Sequence, residues 1–198
     1  MNSDRPAKRR MEVFRIVLDT NTYQSFLPVN DAIWKEKRLR MDCTAKAADW
    51  DAPEVYIHNP ILKRGNFFRL CSGAFAVDQI AFEKLEGVLE WAGELLPFTH
   101  LGVPFWLVNV LECVNCLNDS ETEWIIGKTT GARIGIRKYA FYKQRFSEST
   151  LFKIPERAAG EVLTLSGIKD AEDEFKTIVE NEGLKGIMFQ NIWSDPPL

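Results

Sequence analysis

Histidine is nearly absent from this chain. Its 198 residues include only His58 and His100. Their separation excludes the H-E-x-x-H zinc signature, and any His-assisted nucleophile would need one of the two to meet a Ser or Cys in space. Cysteine is scarce as well. Four cysteines without regular spacing fit a reducing compartment. No apolar run approaches the roughly 20 residues of a membrane span. The charged start, MNSDRPAKRR, lacks the apolar segment of a signal peptide. The expected location is the cytoplasm.

Other chemical signatures are missing too. Ser72-Gly73 and Ser166-Gly167 lack the preceding glycine of a nucleophile elbow. Gly127-Lys128-Thr129 resembles the end of a phosphate-binding loop, but Thr122 stands where that loop needs glycine, so a surface turn is expected. Carboxylates are plentiful, yet none sits in a context that would raise its pKa. No catalytic residue, cofactor site or metal ligand is assigned, and a non-enzyme is expected.

Cys113-Val-Asn-Cys116 is the one short motif that invites chemistry. A structural zinc site needs about four ligands, and no second half is visible. A redox C-x-x-C usually opens a helix, whereas this one follows PFWLVNVLE, which reads as a strand running into a turn. Packing is the reading preferred over metal binding or redox chemistry.

What is present describes an ordinary globular chain. Apolar residues make up 45% and charged residues 27%, which disfavours disorder away from the ends. Net charge is -3, and the first ten residues hold four basic groups against one acid, so the remainder is acidic. That balance argues against nucleic-acid binding. Residues 1–10 read as a flexible basic tail and 11–198 as a single domain.

Alternating and helical periodicities outline the elements. EVFRIVLD (12–19) reads as the first strand and Asp19–Thr22 as a turn. WKEKRLR (34–40) reads as a charged turn of helix or edge strand. The prolines around 51–53 and 58–60 suggest irregular chain. GNFFRLC (65–71) reads as a strand. Residues 78–96 read as a helix capped by Asp78, with Ala81, Leu85, Val88, Leu89 and Ala92 inward and Gly93 a plausible stop. LPFTHL and PFWLVNVL follow as strands. Segments 124–126 and 134–142 are weaker strands, and LFKIPE (151–156) is a strand stopped by Pro155. A second helix is expected over 170–182, capped by Asp170 and ended by Gly183, before the final strand KGIMFQNIW (185–193). FFRL, a helix and a strand recur as LFKI, a helix and a strand, which suggests two similar helix-on-sheet units. The expected fold is α+β, mainly antiparallel sheet with two principal helices packed on it.

One feature suggests binding. The stretch 170–182 holds Asp170, Glu172, Asp173, Glu174, Glu180 and Glu182 against Lys176 alone. It reads either as a solubilising face or as a docking surface for a basic protein, where opposite charge speeds association. Trp34, Trp50 and Trp193 are candidate anchors, although core packing is the commoner duty of such residues.

From about Ala76 to Trp193 the segment order resembles the myxococcal-type immunity domain of bacterial polymorphic toxin systems. The resemblance rests on Glu94-Leu-Leu-Pro-Phe98 after a helix, on PFWLVNVLECVNCLND, on Phe152-Lys-Ile-Pro155, and on Gly183-Leu-Lys-Gly-Ile-Met-Phe189 with Trp193. The opening EVFRIVLDTNTYQSFLP is similar to that family's first strand and turn. Asn115 and Asn118 stand where acids are frequent in the family. The resemblance implies a cytosolic protein that binds a cognate toxin encoded nearby and blocks it by stoichiometric occlusion, with no catalytic residues. Two other readings remain: a non-catalytic interaction or regulatory domain, and a small hydrolase or transferase using His58 or His100.

Overall fold

The computed structural model describes residues 10–35 and 38–196, with the side chains of Trp34 and Lys35 outside the description. Most of the expected basic tail therefore lies outside the described residues. Arg10, its last member, hydrogen-bonds the Asp195 carbonyl through its guanidinium.

The fold is α+β, built on two four-stranded antiparallel sheets. One has the order β4 (Phe67–Phe68), β5 (Phe75–Val77), β7 (Val103–Val110), β6 (Gly93–His100). The other has the order β10 (Leu151–Phe152), β11 (Leu163–Ser166), β1 (Glu12–Leu18), β12 (Ile187–Ser194). Two smaller two-stranded antiparallel sheets pair β2 (Ser25–Pro28) with β3 (Val55–His58), across a long connection, and β8 (Glu123–Ile126) with β9 (Arg133–Lys138). The helices are α2 (Gln79–Ala92) and α3 (Phe175–Asn181), preceded by a single turn, α1 (Ala32–Lys35).

The two large sheets share one plan. Each begins with a hairpin, continues through a helix to an edge strand, and takes a further strand between that edge and the hairpin. In the first sheet the inserted strand is β7, the next in sequence; in the second it is β1, from the start of the chain. The FFRL and LFKI echo marks corresponding positions of these two units.

Helix α2 follows its sequence signals. The Asp78 carboxylate accepts the Ala81 N–H at 3.0 Å, and Asn66 donates to the same carboxylate. Ala81, Leu85, Leu89 and Ala92 are buried. The helix stops at Ala92, short of the expected residue 96, because the chain turns back directly into β6. A Cβ on Gly93 would lie 2.1 Å from the Asn109 carbonyl oxygen, so only glycine fits this approach. At the far end of β6, Leu101 and Gly102 both have positive φ (50° and 78°), the geometry of a tight two-residue hairpin turn.

Helix α3 corrects the expected 170–182 helix. A short 3-10 turn occupies Ala171–Asp173, the chain is extended at Glu174, and α3 starts at Phe175. Asp170 makes no side-chain cap hydrogen bond. The break exists because the Glu174 carboxylate turns inward and accepts the N–H groups of Gly167, Ile168 and Lys169 at 2.7, 3.2 and 3.3 Å. Phe175 then enters the core, its ring centroid 5.8 Å from Phe75, 6.1 Å from Phe67 and 6.1 Å from Phe189. One side chain thus touches both large sheets. Around it, α2, α3 and one face of each sheet share an apolar core including Leu85, Leu89, Val108, Leu151 and Val179.

Candidate partner-binding surface

The six acids of 170–182 do not form one face. Asp170, Glu172 and Asp173 are exposed on the 3-10 turn. Glu174 is fully buried, which removes it from any docking surface. Glu180 is paired with Lys176 one helical turn back, and Glu182 with Lys84 of α2 at 3.0 Å. Exposed pairs of this kind add little stability, but they neutralise part of the acidic field.

The 3-10 turn faces α2 across a groove of about 410 Å³, lined among others by Val88, Trp91, Lys169, Asp173 and Ile178. Trp91 is 65% exposed, and the Lys169 ammonium stands 5.5 Å from its ring centroid. Gly87 borders the same groove, and a Cβ there would touch nothing within 4 Å. Its missing side chain leaves room beside the indole. An exposed aromatic ring beside a cation, on a groove that an acid also lines, is a suitable anchor for a protein partner.

The expected anchors behave differently. The Trp50 indole N–H donates to the Pro97 carbonyl at 2.7 Å, and its ring packs on the β2–β7 core. Trp193 packs against Phe141 and Phe146. Trp106 stacks on Phe82 at 4.3 Å, and Trp124 lies under Arg133. Val88, expected inward, is only half-buried and lines the Trp91 groove. Trp91 was not singled out in the sequence, although Lys84, Val88 and Trp91 recur at helical spacing off the buried Ala81–Leu85–Leu89–Ala92 stripe.

The histidines lie apart. His100 is half-buried, with Nδ1 3.0 Å from the Val55 carbonyl oxygen and its ring against Phe26. His58 is exposed and lines a cavity of about 550 Å³ with Ser25, Arg69, Cys71 and Ser72. Burial pushes the Cys71 thiol up to about 12, so it stays protonated at neutral pH. Gly127-Lys128-Thr129 sits in the β8–β9 turn, closed by a Gly127 N–H to Ala132 carbonyl bond, and no helix follows it. Among the described residues no group of three or more His, Cys, Asp or Glu side chains is placed to hold a metal ion, and no helix is long and apolar enough to cross a membrane.

Within the C-x-x-C, Cys116 is fully buried and packs with Val114, Leu117, Phe141 and Phe152, while Cys113 is exposed. Its two cysteines have separate environments. No known protein family and no curated protein matches the chain.

Proposed function

We propose that this chain is a cytoplasmic immunity protein that binds a cognate toxin polypeptide and neutralises it by occlusion, through the face formed by Trp91 and the Asp170–Asp173 turn. The observation that carries the reading is the largely exposed Trp91 at a groove rimmed by Asp173. Burying an indole of this size on a partner supplies the apolar anchor that tight stoichiometric binding needs. Asp170, Glu172 and Asp173 supply the field that speeds encounter with a basic partner. The segment order that resembles the immunity domain supports the same reading. Glu180 and Glu182 lie outside the proposed contact, because each is already paired.

The test is co-expression with the polypeptide encoded beside this one. Restored growth and a one-to-one complex support the reading. A toxin that kills equally in the presence of this chain refutes it.

One observation favours a second reading, a small hydrolase or transferase: His58 and Ser25 line the same 550 Å³ cavity. The His58→Ala variant separates the two. Toxin neutralisation persists in that variant on the first reading. On the second, a measurable hydrolase or transferase activity is lost.

A further inference from the structure

Lys153 is fully buried in the interior. Its ammonium donates to the Met41 carbonyl at 2.7 Å, and Cys43, Cys71 and Cys113 all lie within electrostatic reach of it. Burial of the amine pushes its pKa down, while a neighbouring thiolate would pull it back up. The charge that this lysine can carry has thiols around it.

Two of those thiols meet. Lys153 and Cys113 are neighbours in a short parallel bridge, fixed by the Lys153 N–H to the Glu112 carbonyl at 2.8 Å and the Val114 N–H to the Lys153 carbonyl at 2.7 Å. Cys43 is brought to the same place from the other side. Its neighbour Thr44 accepts the Asn109 amide at 2.9 Å, and Met41 accepts the lysine. Between these two anchors Cys43 adopts φ of 68°, a left-handed conformation uncommon for a residue with a side chain. The Cys43 and Cys113 side chains are neighbours at this junction. Cys113 is exposed, Cys43 half-buried, and Cys71 and Cys116 are buried.

We propose that Cys43 and Cys113 form a reversible intramolecular disulfide by exchange with a low-molecular-weight disulfide, Cys113 reacting first and Cys43 resolving. The exposed Cys113 thiolate attacks one sulfur of the reagent RSSR. The Cys113–S bond forms, the reagent's S–S bond breaks, and RS⁻ leaves and takes up the proton that Cys113 lost. The Cys43 thiolate then attacks the Cys113 sulfur and displaces the second RS⁻, which takes the Cys43 proton. Two protein thiols are oxidised and RSSR is reduced to two RSH. Burial first, and the neighbouring Cys113 after it, hold the Cys43 thiol up at about 12 in the reduced protein. The adjacent Lys153 favours the Cys43 thiolate.

The new bond would tie the 41–44 segment to the 112–114 segment. It pairs Cys113 with Cys43 and leaves its C-x-x-C neighbour Cys116 in the core.

The full chain is treated with oxidised glutathione, quenched, alkylated under denaturing conditions and mapped by mass spectrometry. The expected product has lost two hydrogens, carries a Cys43–Cys113 cross-link, retains alkylated Cys71 and Cys116, and reverts with dithiothreitol. Cys43→Ser halts at a glutathione adduct on Cys113, and Cys113→Ser stays reduced at Cys43. A stable adduct on Cys113 of the unmodified sequence, a cross-link through Cys116 or Cys71, or no reaction at Cys113 overturns the proposal. The mapping of the unmodified sequence decides the pair without any substitution.

Discussion

Glu174 Oε1 accepts the Gly167 backbone N–H at 2.7 Å, and that bond divides the 170–182 segment in two. The same oxygen also takes the N–H groups of Ile168 and Lys169, so removing the carboxylate strands three donors in a partly buried loop. Unsatisfied donors of this kind cost about 1–3 kcal/mol each, with loop relaxation recovering part. Glu174→Ala should lower unfolding stability by about 3 kcal/mol or more in urea denaturation. Asp173→Ala, one residue away and exposed, should change it by less than about 0.5 kcal/mol. Equal effects from the two would contradict the assignment of Glu174 to the interior.

Phe175 follows directly and packs against rings from both large sheets. Phe175→Ala should cost about 3–5 kcal/mol, with Phe175→Leu well below that. Trp91→Ala, at a 65% exposed position, should stay within about 0.5 kcal/mol of the unmodified chain. Thermal or denaturant unfolding of the three variants checks the order.

Alkaline pH should destabilise the fold. Burial is the leading cause that raises the Cys71 and Cys116 thiols to about 12, and it raises the half-buried Cys43 to the same value. Tyr139 is raised to about 12 as well, by burial and by its hydrogen bond to Glu161. Unfolded thiols titrate near about 8.5 and tyrosine near about 10. Above those values the unfolded chain releases protons that the folded chain keeps, so the contribution present at neutral pH is lost as pH rises toward about 12. Lys153 acts in the opposite sense, because its lowered folded value makes the unfolded chain bind the extra proton. Three thiols and a phenol against one amine give a net fall. Urea midpoints from pH 7 to 10 should decline, and Cys116→Ala should flatten the decline.

Acid should release a different clamp. Burial pushes the Glu94 carboxyl up, but the Lys46 and Ala47 N–H groups and the Asn109 amide outweigh it and hold the pKa below the usual carboxylate value. The resulting stability is present above the unfolded value of about 4.3 and is lost as pH falls through the lower folded value. Glu94→Gln should therefore be less stable than the unmodified chain at pH 7. The difference should shrink as the solution is acidified below the carboxylate range.

Elements with strong local punctuation were legible in the sequence. Asp78 and Gly93 bracket α2 at both ends, and the alternation of β6, β7 and β12 reads directly. Four strands escaped notice for physical reasons. Pro53 and Pro60 suggested irregular chain, yet they flank β3 from outside and leave its hydrogen-bonding positions free. Strands β2, β5 and β11 are three or four residues long, and neighbouring strands from distant sequence supply their order. The acidic 170–182 run had the composition of one helix. Only the tertiary placement of Gly167–Lys169 shows why Glu174 must leave it. The thiol pair was illegible because Cys113 has an obvious sequence neighbour in Cys116, whereas its spatial neighbour lies on a loop fixed by Asn109 and Lys153.

Trp91 and the polypeptide encoded beside this chain provide the most direct test of the binding reading. Titration calorimetry of the purified pair, using the unmodified chain, Trp91→Ala and Asp173→Lys, measures it. A one-to-one complex is expected, which Trp91→Ala weakens by about 2 kcal/mol or more, roughly thirty-fold, with unfolding stability unchanged. No binding, or an affinity that both substitutions leave untouched, would contradict that reading.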